Sequence, residues 1–208
     1  MATLLRESTE LRLDESKLQE LRELNAQGKP IVVIGLLTTC DTKNGNGRIY
    51  PYNVMKPEAD RYLADVVRKG YAIGEADHRD EAEVSVKNAS HVIDDMWWKE
   101  GDNGVQQLFG KLRLLNTPMG QIAKEIVLSG IPLGISSRAV GSVQRDRLKE
   151  ADVVQPDFHL ITYDLVATPS NPGSFLKLSE SKQIKFNPNK VLPSEFRIKE
   201  ALLEILKK

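Results

Sequence analysis

The chain has 208 residues, and its 29 Lys and Arg residues balance its 29 Asp and Glu residues. This length suits one well-buried domain. A zero net charge provides no field that would attract nucleic acid or an anionic membrane, so we expect neither as a partner. No apolar run approaches the roughly 20 residues that span a bilayer. The N-terminus contains acids and does not resemble a secretory signal.

Cys40 is the only cysteine, which excludes an internal disulfide and a cysteine-based zinc cluster. It could in principle act as a nucleophile, but a lone cysteine in an apolar segment is more often buried. The chain is therefore typical of a reducing compartment.

The first half of the chain predicts a helix, a strand and a second helix. Up to residue 24, leucines form an imperfect helical stripe, and a break follows at residues 28–30. The apolar, β-branched run IVVIGLLTTC (31–40) predicts a buried strand. The Asn-Gly pairs of DTKNGNGRIYP then favour a tight loop. Residues 57–69 predict a helix, and Gly70 is placed to cap its end.

The second half predicts mostly strands. The segments ASHVIDDMWWKE and VQQLFGKLRLL are typical of a hairpin around the turn EGDNG. In TPMGQIAKEIVLSG, Thr117 can cap a helix, Pro118 suits its first turn, and Gly130 ends it. The serine-bearing strand IPLGISSRAVGSV is followed by the charged segment QRDRLKEADVVQP, which predicts a loop, and by the strand DFHLITYDLVATP.

Strands that are interrupted by helices without regular βαβ alternation predict an α+β fold with a mainly antiparallel sheet or barrel. We divide the chain into three parts. Residues 1–30 form a charged, helical N-terminal segment, and residues 31–176 form the central domain. Residues 177–208 form a flexible tail that ends in a short amphipathic helix.

Ser136 and Ser137, at the end of an apolar strand, are candidate nucleophiles. In a serine triad a histidine takes the hydroxyl proton, and an acid orients the imidazole. His78 lies among acids in GEADHRDEAE, a setting that is equally typical of a solvated histidine. Asp164 lies in the apolar strand LITYDLVATP and needs a partner there. A histidine or a backbone donor would serve equally well.

Other kinds of site fit the sequence poorly. His91 and His159 lie in strands, where a packing role is the better interpretation. The elbow of an α/β-hydrolase needs a glycine two residues after its serine, and no such glycine follows Ser136. NGNGRIYP lacks the P-loop lysine and the dinucleotide fingerprint. Asp94 and Asp95 are adjacent in a strand and should point to opposite faces. We therefore expect neither a cofactor nor a metal.

Five segments in order, NGNGRIYP, GEADH, HVIDDMWWKEGD, IPLGISSRAVGS and DLVATPSNPG, together resemble the prohead core proteases of large tailed phages. These serine peptidases mature the capsid. The resemblance covers roughly Ile31 to Phe175. It implies the antiparallel β-barrel of the herpesvirus assemblin proteases, with helices packed around it.

The resemblance also implies site residues. His78 matches the catalytic histidine, Ser136 the nucleophile and Asp164 the third member. His159 is the alternative third member, because that position is a histidine in assemblins. Family members often read GELNHP where this chain has GEADHR, and the extra acid Asp77 could raise the pKa of the histidine. The donors of the oxyanion hole cannot be read from the side chains.

The implied function is a serine endopeptidase that acts inside the assembling prohead in the host cytoplasm. Its implied partners are the major capsid protein and internal scaffold proteins as substrates, and further copies of itself. The family cleaves after glutamate with Leu or Ile two residues earlier. Matching triplets that end at Glu7, Glu150, Glu180 and Glu200 therefore predict self-cleavage. The alternative is a non-catalytic scaffold or core protein with the same fold.

Overall fold

The computed structural model describes residues 15–77, 81–101, 104–168 and 176–178. In these ranges the helices are α1 (Glu15–Ala26), α2 (Tyr52–Tyr62) and α3 (Pro118–Leu128), and a π-helical turn (Leu63–Val67) extends α2. The strands are β1 (Val32–Thr39), β2 (Arg48–Ile49), β3 (Ile73–Glu75), β4 (Ala89–Glu100), β5 (Gln106–Leu114), β6 (Gly134–Val140), β7 (Val143–Asp146), β8 (Ala151–Val154), β9 (His159–Val166) and β10 (Leu176–Leu178).

The largest sheet has the strand order β10-β1-β5-β4-β3, and all its pairs are antiparallel. At its centre is the hairpin of β4 and β5, which the sequence pattern predicted. A bulge at Asp94 interrupts the register between Ile93 and Asp95. One face of this sheet carries buried apolar side chains, among them Leu108 and Leu112. The hydrophobic core therefore lies against this face.

Two smaller sheets complete the fold. β6 pairs with β9 in an antiparallel ladder, and β8 lies between β2 and β7. The α+β class with mainly antiparallel strands is confirmed. The predicted closure into a barrel is wrong for the described part of the chain, where the ladders form three separate sheets. The three-residue β3 is too short to continue the ladder: a single isolated bridge, Ala76 to Leu165, joins this end of the sheet to β9.

Two local predictions also need correction. α2 begins at Tyr52, five residues before the predicted start, because Pro51 precedes it in an extended conformation and the helix tolerates Pro57. The charged segment predicted as a loop forms the β7–β8 hairpin instead. Its turn is closed by the Asp146 carboxylate, which accepts hydrogen bonds from the backbone of Leu148 (2.9 Å) and Lys149 (3.1 Å).

The other two helices lie together at the edge of the core. Thr117 caps α3 as predicted, because its Oγ1 accepts a hydrogen bond from the Gly120 amide at 3.1 Å. α1 buries Leu18 and Leu21, and its Arg22 donates to the last-turn carbonyl of Leu128 on α3 at 3.1 Å. The predicted tail helix lies outside the described residues. None of the helices in the described ranges combines the length and the apolar character that a bilayer span requires.

Cys40 has a packing role. Its side chain is fully buried in the core. Burial, followed by the negative charge of Asp41, raises the pKa of the thiol to about 12. A thiol with this pKa remains protonated near neutral pH, so the alternative of a cysteine nucleophile is set aside.

Candidate active site

The register of β6 and β9 fixes the positions of the two candidate serines. Ser136 lies directly opposite Asp164, and Ser137 lies opposite Tyr163. Residues that are directly opposite in an antiparallel pair project to the same face. Ser136 and Asp164 therefore share one face of the strand pair. Ser137 shares the other face with Tyr163 and Ile135, both of which are fully buried.

A cavity lies between β6 and the end of β1. Both serines are half-buried and line it. The remaining lining residues are Leu37, Thr38, Thr39, Asn44, Tyr50 and Ile135. The Tyr163 hydroxyl lies 3.2 Å from Thr38 Oγ1 and joins the two strands beside this cavity. Both serines therefore have equal access to the cavity. They differ in the residue that lies opposite each of them on β9.

Asp164 is fully buried and contacts an arginine. Its Oδ1 accepts hydrogen bonds from the backbone amide of Glu75 and from Arg138 Nη2, each at 3.2 Å. Arg138 Nε lies 3.0 Å from Oδ2, although this N–H makes no hydrogen bond. The partner that an aspartate needs in an apolar strand is thus supplied in part by a guanidinium, which the sequence reading did not consider.

Glu75 is the second carboxylate of this buried cluster. Its Oε1 accepts hydrogen bonds from Arg138 Nη2 at 2.8 Å and from the Ser85 amide at 2.6 Å. Burial by itself disfavours the charged form of Arg138, but the hydrogen bond to Glu75 and the charge of Asp164 raise the pKa of the guanidinium overall. The cluster therefore consists of one cation between two carboxylates.

Sequence reasoning missed Glu75 and Arg138, although a signal was present. Both interrupt short strand segments, YAIGE and GISSRAV, that are otherwise largely apolar or small. Charged residues are almost never fully buried unless they are paired. Two opposite charges in separate buried strands therefore pointed to an ion pair between them.

His78 lies outside the described residues, in the three-residue gap 78–80. On one side of the gap, the Asp77 amide donates to the Leu165 carbonyl at 2.8 Å. On the other side, the Glu81 carbonyl accepts a hydrogen bond from Arg138 Nη1 at 2.8 Å. The described residues on both sides of the gap therefore contact the strand pair that carries Ser136 and Asp164.

His159 lies at the far end of β9, opposite Val140. Its side chain is 55% exposed, and its Nδ1 lies 3.3 Å from Glu58 Oε1 on α2. Strand alternation cannot be counted from Asp164 to His159, because Ile161 is an extra residue in β9 where the register shifts. The distance along the strand, rather than the parity of the numbering, separates His159 from Ser136.

His91 has the packing environment that was expected for it. It is fully buried on β4, and its Nδ1 lies 3.0 Å from the Ser90 hydroxyl. Burial lowers the pKa of His91 to about 4, although the charge of Asp164 and the carbonyl of Tyr163 act in the opposite direction. The ring is therefore neutral near pH 7.

No group of three or more His, Cys, Asp or Glu side chains in the described ranges is arranged to hold a metal ion. Asp94 is occupied otherwise, since Arg113 binds its two oxygens at 3.1 and 3.0 Å.

A serine and a buried aspartate on one face of a strand pair, beside a cavity, supply two of the three residue types that a peptidase of the serine class requires. Comparison with known families agrees with this class. The model of the family described as prohead core protein serine protease matches residues 10–184. The chain belongs to this family, and the resemblance found in its five segments is confirmed.

Two matches from phage T4 show how close the relation is. The prohead core protein protease of Enterobacteria phage T4 is 29% identical over 154 residues, which is 72% of this chain and 69% of that protein. The solved structure of the bacteriophage T4 capsid assembly protease matches with a TM-score of 0.59 and 27% identity, covering 66% of this chain and 82% of that one. The chain is therefore a member of the prohead core protease family that is similar to phage T4 proteases over about two thirds of its length or more.

The buried neutral His91 predicts acid sensitivity. The unfolded chain binds a proton at this residue below about pH 6.5, and the folded chain only below about pH 4. Unfolding therefore takes up a proton between these values, and stability falls as the pH is lowered. The loss amounts to about 3 kcal/mol.

Denaturant unfolding between pH 7 and pH 4 measures this loss. His91→Gln should show a shallower decline in unfolding free energy than the wild type, whereas the same substitution at the exposed His159 should keep the steep decline. Parallel curves for wild type and His91→Gln would contradict the assignment of a buried neutral imidazole.

Proposed function

We propose that the chain is a serine endopeptidase in which Ser136 is the nucleophile, His78 the general base and Asp164 the third member. The observation that carries the proposal is the register that places Ser136 opposite Asp164. A second observation supports it: His78 directly follows Asp77, whose amide is bonded to the residue after Asp164. Ser136 and Asp164 thus lie opposite each other, and the residue that precedes His78 in the sequence is bonded to the strand that carries Asp164.

In the proposed reaction the Ser136 hydroxyl oxygen attacks the carbonyl carbon of the scissile peptide, and His78 takes the hydroxyl proton. His78 then gives this proton to the leaving amine, and an acyl-enzyme remains on Ser136. Water, deprotonated by His78, hydrolyses the ester. Asp164 orients the imidazole and stabilises its charged form. This mechanism requires no cofactor.

Ser136 is preferred to Ser137 because of what lies across the strand pair. Ser137 lies opposite Tyr163, whose hydroxyl is engaged with Thr38. Ser136 lies opposite the only carboxylate on this part of β9.

The first test compares the two serines. Ser136→Ala should lose activity by about a million-fold, since the covalent step disappears, whereas Ser137→Ala should keep substantial activity. Turnover of a peptide and labelling with a fluorophosphonate measure the two outcomes, and the label should be found on Ser136.

His78→Ala should match Ser136→Ala, because the two side chains act as a unit. A label on Ser137 would move the nucleophile by one residue. A folded wild type that is neither labelled nor active would favour the non-catalytic scaffold protein.

The second test concerns the third member. Asp164→Asn should reduce kcat by roughly a thousandfold or more, because an amide favours the wrong imidazole tautomer. His159→Ala is the control and should remain within a few-fold of wild type, since its side chain contacts Glu58 on α2. Circular dichroism checks that both variants are folded. An inactive His159→Ala with a nearly normal Asp164→Asn would reverse the assignment.

The proposed substrates are the major capsid protein and internal scaffold proteins, cleaved after glutamate within the prohead in the host cytoplasm. The name of the T4 structure, a capsid assembly protease, supports this class of substrate. Self-association fits the same setting, because an enzyme enclosed with many copies of itself meets them at high concentration.

We also propose that the protease cleaves itself. At the candidate site after Glu150, Leu148 is 99% exposed. Glu150 has a left-handed conformation with φ 47°, and Ala151 is fully buried in β8. A peptidase binds its substrate in an extended form, so cutting here requires the β7–β8 hairpin to open. The candidate sites at Glu7, Glu180 and Glu200 lie outside the described residues.

Intact-mass measurements over time test the order of these cuts. The tail cuts after Glu180 and Glu200 should appear before the cut after Glu150, because the hairpin must first lose its strand pairing. The Ser136→Ala variant, incubated without wild-type protein, should remain full length. If the wild type cleaves a peptide ending in Leu-Lys-Glu yet never shortens, self-cleavage is wrong and the peptidase assignment stands.

A further inference from the structure

Arg138 connects four parts of the molecule through one side chain. It projects from β6 on the same face as Ser136, two residues earlier, and it is 8% exposed. Nη1 donates to the carbonyls of Glu81 (2.8 Å) and Glu83 (3.3 Å). Nη2 donates to Glu75 at the end of β3 (2.8 Å) and to Asp164 on β9 (3.2 Å). The guanidinium thus joins the serine strand to both flanks of the gap at 78–80.

A hydrogen bond also joins the two ends of the segment that runs from Glu75 to Ser85. The Glu75 carboxylate accepts a hydrogen bond from the Ser85 amide at 2.6 Å. The β3 ladder ends at Glu75, and in the described residues past it the Ala76–Leu165 bridge and the bond from the Asp77 amide connect the chain to β9. Side-chain hydrogen bonds to Arg138 and Glu75 therefore replace strand pairing on the return path through residues 81–85.

Stability alone does not explain a buried charge cluster of this kind. Removing an arginine and two carboxylates from water is costly, and apolar residues of similar volume often stabilise a protein as well or better. A planar guanidinium, by contrast, presents five donors in a fixed fork and can bind two carboxylates and backbone carbonyls at defined angles. The cluster therefore fits a role in fixing geometry.

We propose that Arg138 is a positioning residue of the peptidase, one that sets the distance between Ser136 and the chain segment on either side of position 78. The inference rests on the proposed function, in which His78 is the base. Arg138 touches no reacting atom in this role. It aligns two strands and a returning segment so that the serine and the histidine meet.

Arg138→Lys is the main test, because it keeps the charge but cannot form the fork. A misplacement of about 1 Å can reduce catalysis about a hundredfold, so kcat should fall by about this factor. KM should change little, since the cavity walls on β1 remain intact. The rate of fluorophosphonate labelling at Ser136 should fall in parallel with kcat.

Arg113→Lys is the matched control. Arg113 forms a similar fork on Asp94, but on the exposed face of the five-stranded sheet. Its replacement should leave kcat near the wild-type value. Activities are divided by the folded fraction that circular dichroism gives, so a loss of folded protein is not counted as a loss of positioning.

Chemical rescue distinguishes a positioning role of Arg138 from a merely structural role. Guanidinium at a non-denaturing, millimolar concentration should restore part of the kcat of Arg138→Ala, whereas methylammonium should not. The same additives should leave Ser136→Ala inactive.

The outcomes separate the two proposals. A wild type that is not labelled at Ser136 overturns the proposed function. If the wild type is labelled while folded Arg138→Lys keeps kcat within twofold, the positioning role is overturned. It is equally overturned if only KM changes, or if activity per folded molecule is normal.

Discussion

Ser136 and Asp164 are neighbours because β6 pairs with β9 in one particular register. A slip of one residue would turn every side chain of β6 to the other face. Ser136 would then face the core, and Ser137 would lie on the face of Asp164. The apolar residue Ile135, which is fully buried on the opposite face, disfavours this slip, because the slip would turn Ile135 toward the buried charges. The core thus specifies which serine meets the aspartate.

β9 is held at both ends. At its beginning, Glu58 on α2 accepts a hydrogen bond from the Leu160 amide at 2.6 Å, and Arg61 donates to the Leu160 carbonyl at 3.0 Å. Burial alone would raise the pKa of Glu58, but its bonds to Arg61 and to the Leu160 amide lower it overall, which favours the charged form. At the other end Asp164 contacts Arg138. The bulge at Ile161 lies between these two anchors.

The incomplete ladder between β3 and β9 has a consequence for the site. Backbone pairing would fix the segment after β3 if the sheets closed, but only one bridge forms there in the described residues. Position 78 follows in the sequence directly after Asp77, whose amide donates to the Leu165 carbonyl on β9. Loops that carry function are commonly held in this way by a rigid scaffold beside them. Here the scaffold contributes side chains, chiefly those of Arg138 and Glu75.

The sequence by itself determined the local features. Apolar runs and turn residues were sufficient for the β4–β5 hairpin, the Thr117 cap and the strand that carries Ser136, because alternation and capping depend on neighbours in the chain. The five ordered segments were sufficient for the family. The apolar surroundings of Asp164 also showed that this residue needs a partner.

Only the tertiary structure decided which partner Asp164 contacts and how the sheets end. Arg138 meets Glu75 across 63 residues of sequence, and such an ion pair depends on a strand register that no local pattern encodes. The bulge at Ile161 and the end of the β3 ladder at Glu75 likewise depend on pairing between strands that are separated in sequence. The charged segment after β6 became a hairpin because β2 offered β8 a parallel neighbour, a contact that its own composition could not show.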